Sequence, residues 1–232
     1  MRNSVISVLA TLCAGSAFVS TGASGQQPTA MSLMMAMMAC PALAADGETI
    51  AIFSLDPAGS EDARNSLAIF DANGVLQRRL PIVPPAVDET KAAKSAGEIA
   101  ALFGSGGYRR MGRMARGNSA QATRREHAGD PPPTYQTLLT SADSTFDFRV
   151  IDRQVTVQAA RSQTKLGTFT RTLSATDGPC KSVVGTSIAN TRAGFDPRTN
   201  LLAFSVDMED AGGQVCFSHD FVVTILGPVT RP

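Results

Sequence analysis

Apolar residues along this chain recur mainly at every second position, in short runs set apart by turn residues. Residues 154–159 show the pattern, with Val155, Val157 and Ala159 alternating with Gln154, Thr156 and Gln158 as in a half-buried strand. Similar strand-forming runs span 48–55, 66–70, 75–82, 145–151, 166–173, 182–188, 201–207 and 214–226. Asp71-Ala72-Asn73-Gly74 supplies Asn-Gly hairpin chemistry between the second and third runs, so 48–82 reads as a three-stranded meander. Asp152-Arg153 and residues 210–213 supply further turns.

A helical period occurs once. Asp88 is placed to cap residues 89–103, where Ala93, Ala96, Ile99, Ala100 and Phe103 form one apolar stripe ahead of Gly104. About nine strands and one helix predict a mainly β protein, an antiparallel sandwich or barrel-like sheet with one short amphipathic helix. A small or partial β-propeller is the alternative, because residues 50–71 and 201–224 share an apolar run, an Asp-containing turn with Gly and a second apolar run.

Residues 104–133 break both periods. They are Gly-rich, then Arg-rich, and end in Pro131-Pro132-Pro133, which predicts a long flexible insertion. Within it Arg109, Arg110, Arg113, Arg116, Arg124 and Arg125 occur without an acidic residue between the first and the last. Guanidinium forks suit phosphates and carboxylates, so these six are the candidate binding residues. Tyr108 is the one stacking ring nearby, which disfavours nucleic acid, as does the formal net charge of +1.

The N-terminal 45 residues differ again, with no charged side chain between Arg2 and Asp46. Arg2, the apolar run 4–19 and Thr21-Gly22-Ala23 read as the three regions of a secretory signal. A second apolar run, 31–44, ends in Ala42-Leu43-Ala44, an A-x-A cleavage pattern. The competing reading is a start at one of the Met residues between 31 and 38. Both give a leader over 1–44 and a single mainly β domain over 45–232, periplasmic or secreted. Neither run reaches the ~20 residues of a spanning helix, so no transmembrane span is expected in the mature chain. Met37-Met38-Ala39-Cys40 loosely resembles a lipobox, although Met replaces the usual Leu and Pro41 follows the cysteine.

With Cys13 and Cys40 in the leader, Cys180 and Cys216 remain, and an exported pair predicts a disulfide. Their separation lacks the paired spacing of a metal site, so neither metal nor cofactor is expected. His219-Asp220 falls in a strand pattern, where neighbours point to opposite faces and Asp220 cannot orient His219. His127 lies in the insertion, and no G-x-S-x-G elbow occurs. Asp207, Glu209 and Asp210 cluster at an expected hairpin tip, and together with Asp71-Ala72-Asn73-Gly74 they read as solvated turns rather than calcium loops.

The order of leader, hairpin, Ala-rich helix and Cys-bearing β region, with Gly194-Phe195 as the local match, resembles predicted secreted bacterial proteins of unknown function. That resemblance covers most of the domain and implies secretion without assigning catalytic residues. The expected function is a non-enzymatic binding or structural module of the envelope. Its basic loop would meet an anionic envelope component or another envelope protein. The alternatives are a secreted hydrolase centred on His219 and a small-ligand carrier using a barrel interior.

Overall fold

The computed structural model describes residues 38–55, 65–116, 121–124, 126–127, 129–141, 143–162, 164–173, 184–210 and 215–225. The chain is mainly β and antiparallel, built as stacked open sheets rather than a closed barrel or propeller blades.

The first sheet follows from the expected meander. β2 (Thr49–Leu55), β3 (Asn65–Asp71) and β4 (Leu76–Pro81) pair in sequence, and the turn after β3 places Gly74 at φ 79°. Asp71 Oδ1 accepts from the amides of Asn73 and Val75, each at 2.9 Å, the local bonding that makes Asp-x-Asn-Gly a turn. On the far side of β2 lies β1 (Ala42–Leu43), and beyond it β5 (Arg109–Arg110).

Helix α1 (Glu89–Gly106) covers one face of this sheet. Asp88 caps it by accepting from the Lys91 amide at 2.9 Å. The buried positions are Ala92, Ser95, Ala96 and Ile99, a stripe one turn wide that differs in part from the expected one. The helix runs past Gly104 and stops at Gly107, whose left-handed φ of 57° suits glycine. Ile99, with Leu102 and Phe103, packs on Cys40, Ala42, Ala51, Leu67 and Ile69.

The second sheet holds β13 (Gly185–Asp196), β14 (Leu201–Glu209), β15 (Val215–Thr224) and β6 (Gly112–Arg113), in the order β15-β14-β13-β6. The third holds β9 (Thr134–Ser141), β10 (Ser144–Ile151), β11 (Gln154–Arg161), β12 (Thr164–Thr172) and β7 (Ala115–Arg116), with β8 (Gln121–Thr123) also on β9. β14 is buried at all nine positions, so the second sheet is the middle layer. Leu201 and Ala203 pack with Val222 against Ile50, Ile52, Ala68 and Phe70 of the first sheet. Leu202, Phe204, Val206 and Met208 turn the other way, onto Phe146, Phe148, Val155 and Val157 of the third. This strand alternates with two apolar faces, as a sandwiched strand must.

The expected flexible insertion, 104–133, is corrected for residues 104–116. Residues 104–106 complete α1, and 109–116 cross the layers, adding β5 to the first sheet, β6 to the second and β7 to the third. Successive strands begin three residues apart, and three extended residues cover ~10 Å, the face-to-face spacing of packed sheets. Met111 sits in the core between the first two layers and Met114 in the core between the last two, each 2% exposed. Gly112 is required by a close approach: a Cβ there would lie 2.7 Å from the Phe195 carbonyl oxygen. We call residues 109–116 the stitch.

The expected boundary at Ala44 also falls inside the fold. Ala42 and Leu43 are fully buried and bridge β2 to β5, with Cys40 buried beside them. Cleavage after Ala44 would remove an interior strand. Cleavage near Thr21-Gly22-Ala23 would leave every described residue in place.

Truncating either stitch methionine should cost about 2–5 kcal/mol, the range for emptying a buried Met site. Urea unfolding of Met111→Ala and Met114→Ala measures this, with Met38→Ala, whose side chain is exposed, expected near zero.

Candidate functional site

The six candidate arginines separate into three groups. Arg109, from β5, reaches Asp196 at the end of β13, with Nη2 3.0 Å from Oδ1. Burial alone would raise the Asp196 carboxyl. Hydrogen bonds from Thr199 and Arg109, with the Arg109 charge, hold it below its ordinary value instead. Arg124 binds Glu209 at 2.5 Å, and Ser187 donates to the other Glu209 oxygen at 2.5 Å. These two arginines tie outer segments to the middle sheet. Arg110, Arg113 and Arg116 are exposed at intervals of three along the stitch, with Met111 and Met114 turned inward between them. Arg116 also contacts the Tyr135 hydroxyl at 3.4 Å. Arg125 lies outside the described residues.

The acidic cluster expected in a solvated hairpin tip is corrected as well. Asp207 and Glu209 are strand residues of β14, 3% and 9% exposed. Strand alternation sends Ser205 and Asp207 to the face opposite Phe204 and Val206, where their cross-strand partners on β15 are Asp220 and Ser218. Asp207 is ion-paired with Arg192, and Ser218 bridges them, donating to Asp207 Oδ1 at 2.8 Å while accepting from Arg192 Nη1 at 2.8 Å. Asp220, its side chain fully buried, accepts from Ser205 Oγ at 2.8 Å. Arg79 of β4 lies 3.5 Å from Asp220 Oδ2 and donates to Ser54 and Ser66 of the first sheet. The result is a polar pocket of the interface between the first two layers, next to the apolar pocket built on Ile50 and Ala203.

Burial pushes the Asp220 carboxyl up to about 6, against the hydrogen bonds of Ser54 and Ser205 and the charges of Arg79 and Arg192. Asp207 is raised for the same first reason, with Arg192 opposing. Two carboxylates with raised proton affinity, four serines and two arginines in one interface form an ion-paired network held between sheets. Among the described residues no group of three His, Cys, Asp or Glu could hold a metal ion.

His219 does not join that network. It faces the third sheet, edge-on to Phe217 at 5.4 Å between ring centroids, while Asp220 faces the first. The hydrolase centred on His219 and residues 207–210 therefore lacks convergence: the imidazole and the carboxylate of Asp207 stand on opposite faces of one sheet. His219 instead lines a cleft of about 590 Å³ with Phe169, Arg171 and Phe221. The cleft opens at the edge of the stack and is not a barrel interior. His127 is exposed, 3.7 Å from Asp130, whose carboxylate also accepts from two nearby amides.

Cys40 is a buried thiol, its pKa pushed up to about 12 by burial against the opposing Phe53 backbone hydrogen bond and the Arg110 charge. The sulfur lies in the core beneath α1, at the end of the lipobox-like Met37–Cys40 sequence. Cys216 is buried on β15 and its expected partner, Cys180, lies outside the described residues. No helix among the described residues is long and apolar enough to cross a membrane.

The described residues form a helix-covered stack of three antiparallel sheets joined by one stitching segment. No protein-family model, curated protein or solved structure matches the chain.

The sign of the Asp220 effect follows from its raised affinity. The folded chain holds this proton more tightly than the unfolded one, so the stabilisation is complete below the ordinary 3.8 and is lost as pH rises through about 6. The stability of wild type relative to Asp220→Asn should fall by about 2.4 kcal/mol from pH 4 to pH 7, most of the linkage value for a carboxyl moved that far. Urea unfolding of both proteins across this range checks it, and a pH-independent difference would refute it.

Proposed function

We propose that this chain is an exported, non-enzymatic binding module of the cell envelope whose interaction surface is the row Arg110, Arg113 and Arg116. One observation carries the reading: the three side chains are exposed on a backbone pinned to three different sheets. Charges on such a frame lose little conformational freedom on binding, unlike the same residues on a mobile loop. The row spans about 20 Å, with two three-residue steps of extended chain between its ends. That suits an anionic surface of repeated phosphates better than a single small anion, and the partner is anionic phospholipid headgroup.

Export rests on the charge-free leader with Arg2, the apolar run and the small residues at 21–23. The resemblance in the order of elements to predicted secreted bacterial proteins of unknown function points the same way. In an oxidising compartment Cys216 pairs with Cys180, closing a loop of about 37 residues worth roughly 3–4 kcal/mol. Cys40, shielded beneath α1, remains a thiol.

Co-sedimentation with phosphatidylglycerol vesicles at low salt tests the row. At about 1 kcal/mol per arginine, replacing Arg110, Arg113 and Arg116 together by Ser should weaken binding by roughly 100-fold. Wild-type binding should also weaken with added salt, and equal binding of the two proteins would overturn the reading.

A further inference from the structure

The cleft beside His219 carries chemistry that neither the layer packing nor the arginine row uses. Its walls are β12 and β15, the terminal strands of the third and second sheets among the described residues. On β12, Phe169 stands opposite Val157 and Arg171 opposite Val155. Both valines are core residues between these layers, so Phe169 and Arg171 occupy positions on the inner face of their sheet. On β15, Phe217, His219 and Phe221 occupy the facing inner positions. An arginine and an imidazole thus stand on the inner faces of two terminal strands, lining the cleft beside the apolar core of this interface.

Neither His219 Nε2 nor the Arg171 guanidinium has a protein partner among the described residues. His219 Nε2 is buried without a hydrogen-bond partner. Arg171 is exposed and forms no ion pair among the described residues. The neighbouring carboxylate, Asp220, is turned to the opposite face and held there by Ser205 and Arg79. Burial and the Arg79 charge lower the His219 pKa. Beneath these groups the Phe169 and Phe221 rings lie 5.7 Å apart, and Phe204 stacks on Phe221 at 5.0 Å. The turn at 72–74 closes another side; Gly74 lies so near that a Cβ would stand 2.3 Å from the Val222 carbonyl oxygen. The volume of about 590 Å³ falls in the ordinary range for small-molecule sites.

We propose that this cleft binds a small organic anion with an apolar body. The Arg171 guanidinium takes the carboxylate, His219 Nε2 supplies a directional hydrogen bond, and the apolar body lies on Phe169 and Phe221. A guanidinium with no protein partner among the described residues, beside the half-buried ring of Phe169 and the edge of the Phe221 ring, matches an amphipathic carboxylate and would reject its neutral counterpart. An inward charge on an edge strand also has a plainer use, keeping that edge from pairing with another chain. The two roles separate experimentally.

Calorimetric titration of the full chain at pH 7 with decanoate, and with decanol as its neutral counterpart, decides between them. Saturable one-to-one binding of decanoate is expected, at least about tenfold tighter than decanol and at least about tenfold weaker in Arg171→Ser. Arg149→Ser, an arginine on the outer face of the third sheet paired with Asp147, controls for net charge and should bind as wild type. Decanoate should also shift the His219 Nε2 resonance in ¹⁵N NMR spectra. Absence of binding, or equal binding by Arg171→Ser, would overturn the proposal. Aggregation of Arg171→Ser with decanoate binding intact would assign the arginine to edge protection instead.

Discussion

The structure depends on a coincidence of two lengths. Three residues of extended chain and the gap between packed sheets are both close to 10 Å. Residues 109–116 use it twice, pairing with the first layer, then the second, then the third. Each crossing places a methionine between layers, where an unbranched, flexible side chain fills space that a branched one would fit only in one rotamer. The Met111 amide donates to the Pro41 carbonyl at 2.9 Å, so the stitch also fastens the segment leading into β1. Without it, the first sheet would lose an edge strand and each interlayer core would lose a residue.

A middle layer covered on both faces raises a second problem, because it has no solvent side for polar groups. β14 still carries Ser205, Asp207 and Glu209, and β15 carries Ser218 and Asp220. Arginines from several segments meet these carboxylates: Arg79 from the first sheet, Arg124 after β8 and Arg192 within the middle sheet. Removing one member of such a pair leaves a buried charge, so these contacts constrain which layer faces which more than they add net stability. The same division explains the cleft. Asp220 is used on the inner interface, which leaves His219 and Arg171 without a carboxylate among the described residues on the other side.

Much of the layer content was legible in the residues. Alternation over 154–159, the Asn-Gly turn at 73–74 and the Asp88 cap each led to the element observed, because local chemistry and packing agreed there. β14 was legible as a strand but not as a central one: Asp207 and Glu209 suggested a solvated tip, and only the arginines arriving from distant segments make their burial tolerable. The stitch was not legible because strands of two residues are too short for a two-residue period to show. The signal present was a period of three, with Met111 and Met114 spaced like Arg110, Arg113 and Arg116. That period belongs to neither helix nor sheet and is meaningful only once three sheets are stacked. β1 was hidden for another reason: Ala42-Leu43-Ala44 reads equally as an A-x-A cleavage pattern and as a small-residue strand between β2 and β5. The cleft had half a signal, since Arg171 alternates with Phe169 on the apolar face of β12, a cation where the pattern calls for a core residue.

The three-layer stack rests on residues 109–116 being a fixed part of it rather than a surface loop. Native-state hydrogen exchange of the backbone amides tests this most directly. The Met111 amide and the interstrand amides of 109–116 should exchange only through large-scale opening, with protection approaching that of β14. Exchange of these amides near the rate of an unstructured chain, while β14 stays protected, would contradict it.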